Sequence, residues 1–295
     1  MRKFFLLFLK IKNNNAIALL FLILLFPLGA AAITAPSVTI FPDTVIQGEP
    51  MRVTVESVSS AVAVKKISFD GKAVPIFSYQ GKPTAFIGID LNKNPTDYKV
   101  VVTLTDGTKF EKTILVGDRE KIKVRFDIPE KLGGNTSVAA GKLLRMLGTE
   151  NRSIYSVRTI PKQLWTNDFR FPILNPLVTD PYGYSRQTVG HSLPHKGTDF
   201  RAKEGTVVLA MNRGIIRLAR TYRVYGKTLI IDHGLGLFTL YMHLSKINVN
   251  EGELVKQGQV VGLSGSTGYV LSSHLHVSVW LDKVSVDPVR FLELF

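Results

Sequence analysis

Along much of the chain, apolar residues recur at every second position in short runs broken by Gly, Asp and Asn, the period of half-buried strands. Met51, Val53 and Val55 alternate with Arg52, Thr54 and Glu56. Further strands are predicted over Ser37–Phe41, Val62–Phe69, Thr84–Leu91 and Tyr98–Leu104. Asp70-Gly71 and Asp106-Gly107 fall between such runs and suit tight hairpin turns. Several short strands at this spacing predict an immunoglobulin-like β-sandwich over residues 33–118. Residues 119–165 read as a connector with a strand at Lys121–Phe126. In it, Thr136 caps a short helix through Val138–Leu147 that Gly148 stops. Residues 166–295 return to the two-residue period, over Gly214–Arg220, Lys227–His233, Leu237–His243, Gln259–Leu263 and His274–Leu281. No long amphipathic helix interrupts them, which favours an antiparallel sheet over a βαβ layout. The predicted fold class is all-β.

The first 32 residues depart from this pattern. Arg2, Lys3, Lys10 and Lys12 precede an unbroken apolar run, Ala16–Phe26. Pro27 and Gly29 break the run, and Ala30-Ala31-Ala32 offers small residues for cleavage. Residues 1–32 are read as a signal peptide, hence an exported protein: periplasmic, wall-associated or extracellular. An uncleaved membrane anchor is the rival, because Ala16–Ala32 lies at the short edge of a bilayer span of ~20 residues. The net charge of +14 suits an anionic partner. No zinc finger, RNA-recognition signature or dense Lys/Arg tract accompanies it, so nucleic acid is not expected. The chain has no cysteine, so a metal could be held only by His, Asp or Glu.

All six histidines fall in the last third, at 191, 195, 233, 243, 274 and 276. In a strand, His274, His276, Ser278 and Trp280 share one face, and Leu275, Val277 and Val279 the other. Two imidazoles then point into one space, as a metal ligand and a neighbouring base would. His195 and Asp199 are also an even number apart, so in extended chain they face one way. One more His would complete three protein ligands and leave a fourth position open, the arrangement of catalytic zinc. In Tyr241-Met242-His243, strand alternation puts Thr239, Tyr241 and His243 on one face, opposite Phe238, Leu240 and Met242. His191 and His233 read as structural, in a polar loop and a turn. Two His and one carboxylate also describe non-haem iron sites.

These motifs resemble the lysostaphin/LytM-type zinc metallopeptidases. His195-x-Gly197-x-Asp199-Phe200 resembles the first zinc motif of that family. Tyr182-Gly183-x-x-Arg186 is similar to its opening element, with one extra residue before the Arg. Gly205-Thr206, Asp232-His233-Gly234, Tyr241-x-His243-Leu244-Ser245, Gly258-Gln259-Val260-Val261-Gly262, Gly265-x-Thr267-Gly268, His274-Leu275-His276 and Asp287-Pro288 follow in the family's order, over about residues 180–290. Ser272-Ser273 and Val277-Ser278 depart from its pattern. The resemblance implies one Zn2+ per chain on His195, Asp199 and His276. It implies catalytic, non-ligand roles for His243 and His274. It also implies hydrolysis of peptide bonds in peptidoglycan stems or cross-links, peptidoglycan being the partner. Residues 166–295 would form this peptidase domain, and the Gly265–Ser273 loop would border the substrate groove. Tyr241, Gly265 and Thr267 are the candidate substrate-binding residues. The alternative is a non-catalytic wall-binding or hydrolase-activating module of the same type.

Overall fold

In the computed structural model, which describes residues 35–57 and 63–295, strands account for nearly all regular structure and helix for little. The export segment and Val62 lie outside the described residues.

Nine strands come first: β1 (Ser37–Phe41), β2 (Val45–Ile46), β3 (Pro50–Glu56), β4 (Val64–Phe69), β5 (Lys72–Val74), β6 (Phe77–Tyr79), β7 (Lys82–Gly88), β8 (Asp97–Leu104) and β9 (Lys109–Gly117). They form two sheets, in the orders β1-β3-β7-β6 and β2-β9-β8-β4-β5. Alternation decides what lies between the sheets. Met51, Val53 and Val55 from β3 pack with Val100, Val102 and Leu104 from β8 in one buried cluster. The two Asp-Gly pairs sit in the turns between β4 and β5 and between β8 and β9, with Asp70 at φ 50° and both glycines left-handed.

Helix α1 (Ser137–Tyr155) is longer than the sequence suggested. Thr136 caps it, its hydroxyl accepting from the Ala139 N–H at 3.2 Å. Gly148 does not end it. A mid-helix Gly costs only about 1 kcal/mol against Ala. That is offset by tertiary contacts beyond it: Ile154 buries beside Met242 and Trp280, and Tyr155 stacks on Trp280 at 4.5 Å between ring centroids. Leu143, one helical face earlier, packs against Val224 and Tyr269.

The remaining strands are β10 (Lys123–Arg125), β11 (Val178–Asp180), β12 (Ser185–Thr188), β13 (His191–Pro194), β14 (Thr198–Phe200), β15 (Val207–Leu209), β16 (Gly214–Thr221), β17 (Lys227–Gly234), β18 (Leu237–Leu244), β19 (Lys246–Ile247), β20 (Leu254–Val255), β21 (Val260–Leu263), β22 (Leu275–Leu281) and β23 (Val284–Val286), closed by α2 (Pro288–Leu292). The principal sheet runs β11-β14-β22-β18-β17-β16-β20, with β23 on β22, and every pairing in it is antiparallel. One face of its centre is apolar core, with Leu275, Val277 and Val279 beside Tyr241, Leu229 and Ile231. The other face carries His274, His276, Ser278 and Trp280 into a cavity of about 690 Å³. Strand β10 pairs with β12, so the connector contributes a strand and a helix beside that cavity.

Candidate metal centre and catalytic histidines

The register of β14 on β22 places Asp199 directly opposite His276. Residues opposed in an antiparallel pair project to the same side, with Cβ atoms close enough for short side chains to meet. His195 lies just before β14 and joins them. Its Nε2 is 3.2 Å from Asp199 Oδ1 and 3.1 Å from His276 Nδ1, and His276 Nδ1 is 2.7 Å from Asp199 Oδ1. Ligands on a tetrahedral zinc with bonds of ~2.0–2.1 Å stand about 3.3 Å apart. This triangle is therefore close to the size that such an ion needs. Among the described residues it is the one group of three ligating side chains so gathered.

Hydrogen bonds on the far side of each ring set which nitrogen faces the centre. His195 Nδ1 is 2.8 Å from the Pro181 carbonyl, which can only accept, so Nδ1 carries the proton and Nε2 the lone pair. Ser278 Oγ donates to the Lys196 carbonyl at 2.8 Å, so it accepts from His276 Nε2–H at 3.0 Å, which leaves Nδ1 the lone pair. Burial, opposed by Asp199, pushes His276 down to about 4, so its ring is neutral at pH 7. Burial also disfavours ionised Asp199, but the facing His195 and His276 outweigh it and hold the carboxyl well below the usual range. In these tautomers the atoms turned inward, His195 Nε2, Asp199 Oδ1 and His276 Nδ1, are all lone-pair donors to a metal. Such a donor set fits a cation. Arg186 bonds the other carboxylate oxygen, Asp199 Oδ2, and also Asp180, fixing the carboxylate plane from outside.

His274 and His243 complete the wall. His274 Nδ1 donates to the Ser272 carbonyl at 2.9 Å, and its Nε2 lies 3.7 Å from Asp199 Oδ2. His243 Nδ1 donates to the Thr267 carbonyl at 2.9 Å. Their ring centroids are 5.0 Å apart, and His243 is 6.0 Å from His276. Burial pushes His243 down to about 3, assisted by His274 and His276, so it too is a neutral base at pH 7.

Strand alternation misplaces His243. The site opens on the face of Met242 and His276, not that of Thr239 and Tyr241. His243 reaches it because β18 carries an irregularity there: the pairing with β17 steps from Leu229–Tyr241 to Lys227–Leu244, and His243 takes a left-handed φ of 63°. Bulges of this kind re-aim one side chain. Tyr241 stays behind in the core, fully buried, its hydroxyl accepting from the Met211 N–H at 3.0 Å and bonded to Thr239. Tyr241, Gly265 and Thr267, expected to border a substrate, do not line the cavity. Thr267 Oγ1 donates to the Leu244 carbonyl and accepts from the Lys227 N–H, and Gly265 is bridged to His274 behind the ring. Only the second half of that loop, Tyr269 to Ser273, lines the cavity. His233 is buried between the Arg213 carbonyl and Thr239, and His191 is exposed; neither touches the site.

Gly197 is required by close approach. A Cβ there would lie 2.3 Å from His276 Nε2 and 2.6 Å from the Val277 carbonyl. Neither can retreat without breaking the Ser278 bond or the β14–β22 pairing. Gly197→Ala is therefore expected to cost about 1–3 kcal/mol of overpacking, read as a lower denaturant midpoint.

Residues 193–288 match peptidase family M23. The chain is 32% identical over 202 residues to the peptidoglycan DD-endopeptidase ShyA of Vibrio cholerae, covering 65% of this chain and 46% of ShyA. It is 35% identical over 119 residues to the DD-carboxypeptidase/endopeptidase Mpg of Neisseria meningitidis, covering 40% of this chain and 27% of Mpg. The chain thus spans less than half the length of these relatives. A solved structure from Pseudomonas aeruginosa, assigned to peptidase M23, aligns with 85% of this chain and 96% of its own at a TM-score of 0.63 and 26% identity.

Proposed function

Because the chain carries a peptidase family M23 domain, we propose that it is a zinc-dependent endopeptidase that hydrolyses peptide bonds in peptidoglycan. The observation that carries this reading is the convergence of three lone-pair atoms, His195 Nε2, Asp199 Oδ1 and His276 Nδ1, on residues each held by a partner outside the triangle. These residues would hold the zinc. When bound there, the ion acts as a Lewis acid that acidifies water and polarises a peptide carbonyl.

The protein's own groups supply the rest. His243 and His274 each turn Nε2 toward the cavity while a backbone carbonyl holds Nδ1–H. Such an imidazole can take a proton from the attacking water and pass it to the departing amine nitrogen. Arg186 holds Asp199 in place by its outer oxygen. Peptidoglycan as substrate rests on the likeness to peptidoglycan endopeptidases, and an extracytoplasmic location follows from that substrate. Among the described residues no helix is long and apolar enough to cross a membrane. An immunoglobulin-like assignment for residues 33–118 is supported by the strand orders of the two sheets, which follow the A-B-E-D and G-F-C arrangement of such sandwiches. Residues 119–165 would be the connector and 166–295 the peptidase domain.

Metal analysis and digestion of purified peptidoglycan test the proposal together. About one zinc per chain and newly released amino termini are expected, and iron with no peptide release would refute it. Ser278→Ala removes the acceptor that fixes the His276 tautomer. Loss of such a partner typically costs about 10–100-fold in metal affinity, and a zinc titration against a competing chelator should read that loss.

A further inference from the structure

Glu150 lies on α1, outside the peptidase motifs, yet it is only 7% exposed, and among the described residues no ion pair joins it to a Lys or Arg. Its carboxylate instead accepts three successive backbone amides from the turn between β16 and β17. Arg223 N–H donates at 2.8 Å, Val224 N–H at 3.0 and 3.1 Å, and Tyr225 N–H at 3.1 Å. Successive amides converging on one anion make a nest. The Tyr225 hydroxyl adds a bond to Asn151 Oδ1 on the next helical position, at 2.7 Å.

That turn holds His243 from two sides. The Tyr225 carbonyl accepts the His243 backbone N–H at 3.0 Å, at the residue whose φ is left-handed. The turn also lies backbone to backbone on the loop that anchors the ring. A Cβ on Gly226 would fall 2.3 Å from the Thr267 carbonyl, the acceptor of His243 Nδ1–H, and one on Gly268 would fall 2.2 Å from the Val224 carbonyl. Both restraints that turn His243 out of strand alternation therefore run through residues 223–226. Glu150 is the group that accepts the amides of three of them, Arg223, Val224 and Tyr225.

We propose that Glu150 is a positioning residue for His243, making α1 an integral part of the site rather than a cover over it; as a statement about catalysis this rests on the peptidase reading above. A dissociable cover would leave the turn satisfied on its own. Lifting α1 would leave three amides, that of buried Val224 among them, without their acceptor and unseat His243.

Glu150→Gln tests this with little change of shape. Glutamine keeps one acceptor oxygen and sets an NH2 group against the remaining N–H donors. In the full-length, zinc-loaded protein, kcat on purified peptidoglycan should fall at least fivefold. KM should stay within twofold, and zinc content and the far-ultraviolet spectrum should not change. Glu150→Ala should lose more, so that Gln is a partial rescue. The imidazole resonances of His243 should shift in both variants, while those of buried His233, bonded elsewhere, should not. Parental kcat with unshifted His243 resonances would overturn the proposal, as would His233 moving as much as His243, which would mark general disruption. If the parent protein cleaves no wall peptide and His243 alone still shifts, the peptidase reading fails and the structural link stands.

Discussion

His276→Ala is expected to release the metal and abolish hydrolysis together. The change removes one corner of a triangle whose edges are 2.7 to 3.2 Å, leaving His195 and Asp199 with only two converging donors. The metal contributes several kcal/mol of charge stabilisation in the transition state. At 1.36 kcal/mol per tenfold, its loss corresponds to on the order of 10³-fold in rate or more. Zinc per chain and peptide release should fall in step. The β14–β22 pairing does not depend on the imidazole, because its bonds are backbone bonds, so the variant should remain folded. Zinc content and cleavage both at the parental level would show that the ligand assignment is wrong.

His243→Asn is expected to separate chemistry from metal binding. Asparagine tolerates the left-handed region better than most residues, so the φ of 63° is kept with little added strain. It cannot act as a base near neutrality. Proton transfer by a positioned side chain is typically worth about 10²–10⁴-fold, and kcat should fall by that order. Zinc stoichiometry should stay at the parental value, because His243 is not one of the three converging donors. Loss of zinc in this variant would place His243 among the ligands instead.

The contrast between these two histidines shows what the chain discloses on its own. His276 was legible because β22 alternates without a break, so His274, His276, Ser278 and Trp280 fall on one face whatever the tertiary context. Asp199 followed from the same rule, since the register of one antiparallel pair decides whether it meets His276. His243 reached the site by an irregularity that alternation cannot express, and Tyr241 was misplaced with it. The helix was read too short for a related reason. Gly148 is a local stop signal, and the contacts that carry α1 past it, Ile154 on Trp280 and Glu150 on the 223–225 amides, join residues about 70 or more positions apart in the chain. Ser278 and Arg186 lay within motif spacing and were visible as positions, but their bonds to His276 and Asp199 required coordinates. No sequence signal marked Glu150.

Residues 166–295 are proposed to cut peptide bonds in peptidoglycan with a zinc ion on His195, Asp199 and His276. Mass spectrometry of the soluble products from purified peptidoglycan tests it most directly, with parent protein and His276→Ala compared side by side. New stem-peptide amino termini are expected with the zinc-loaded parent, none after chelation of the metal, and none with the variant. A parent protein that binds one zinc per chain but leaves the peptide profile of the wall unchanged would contradict it.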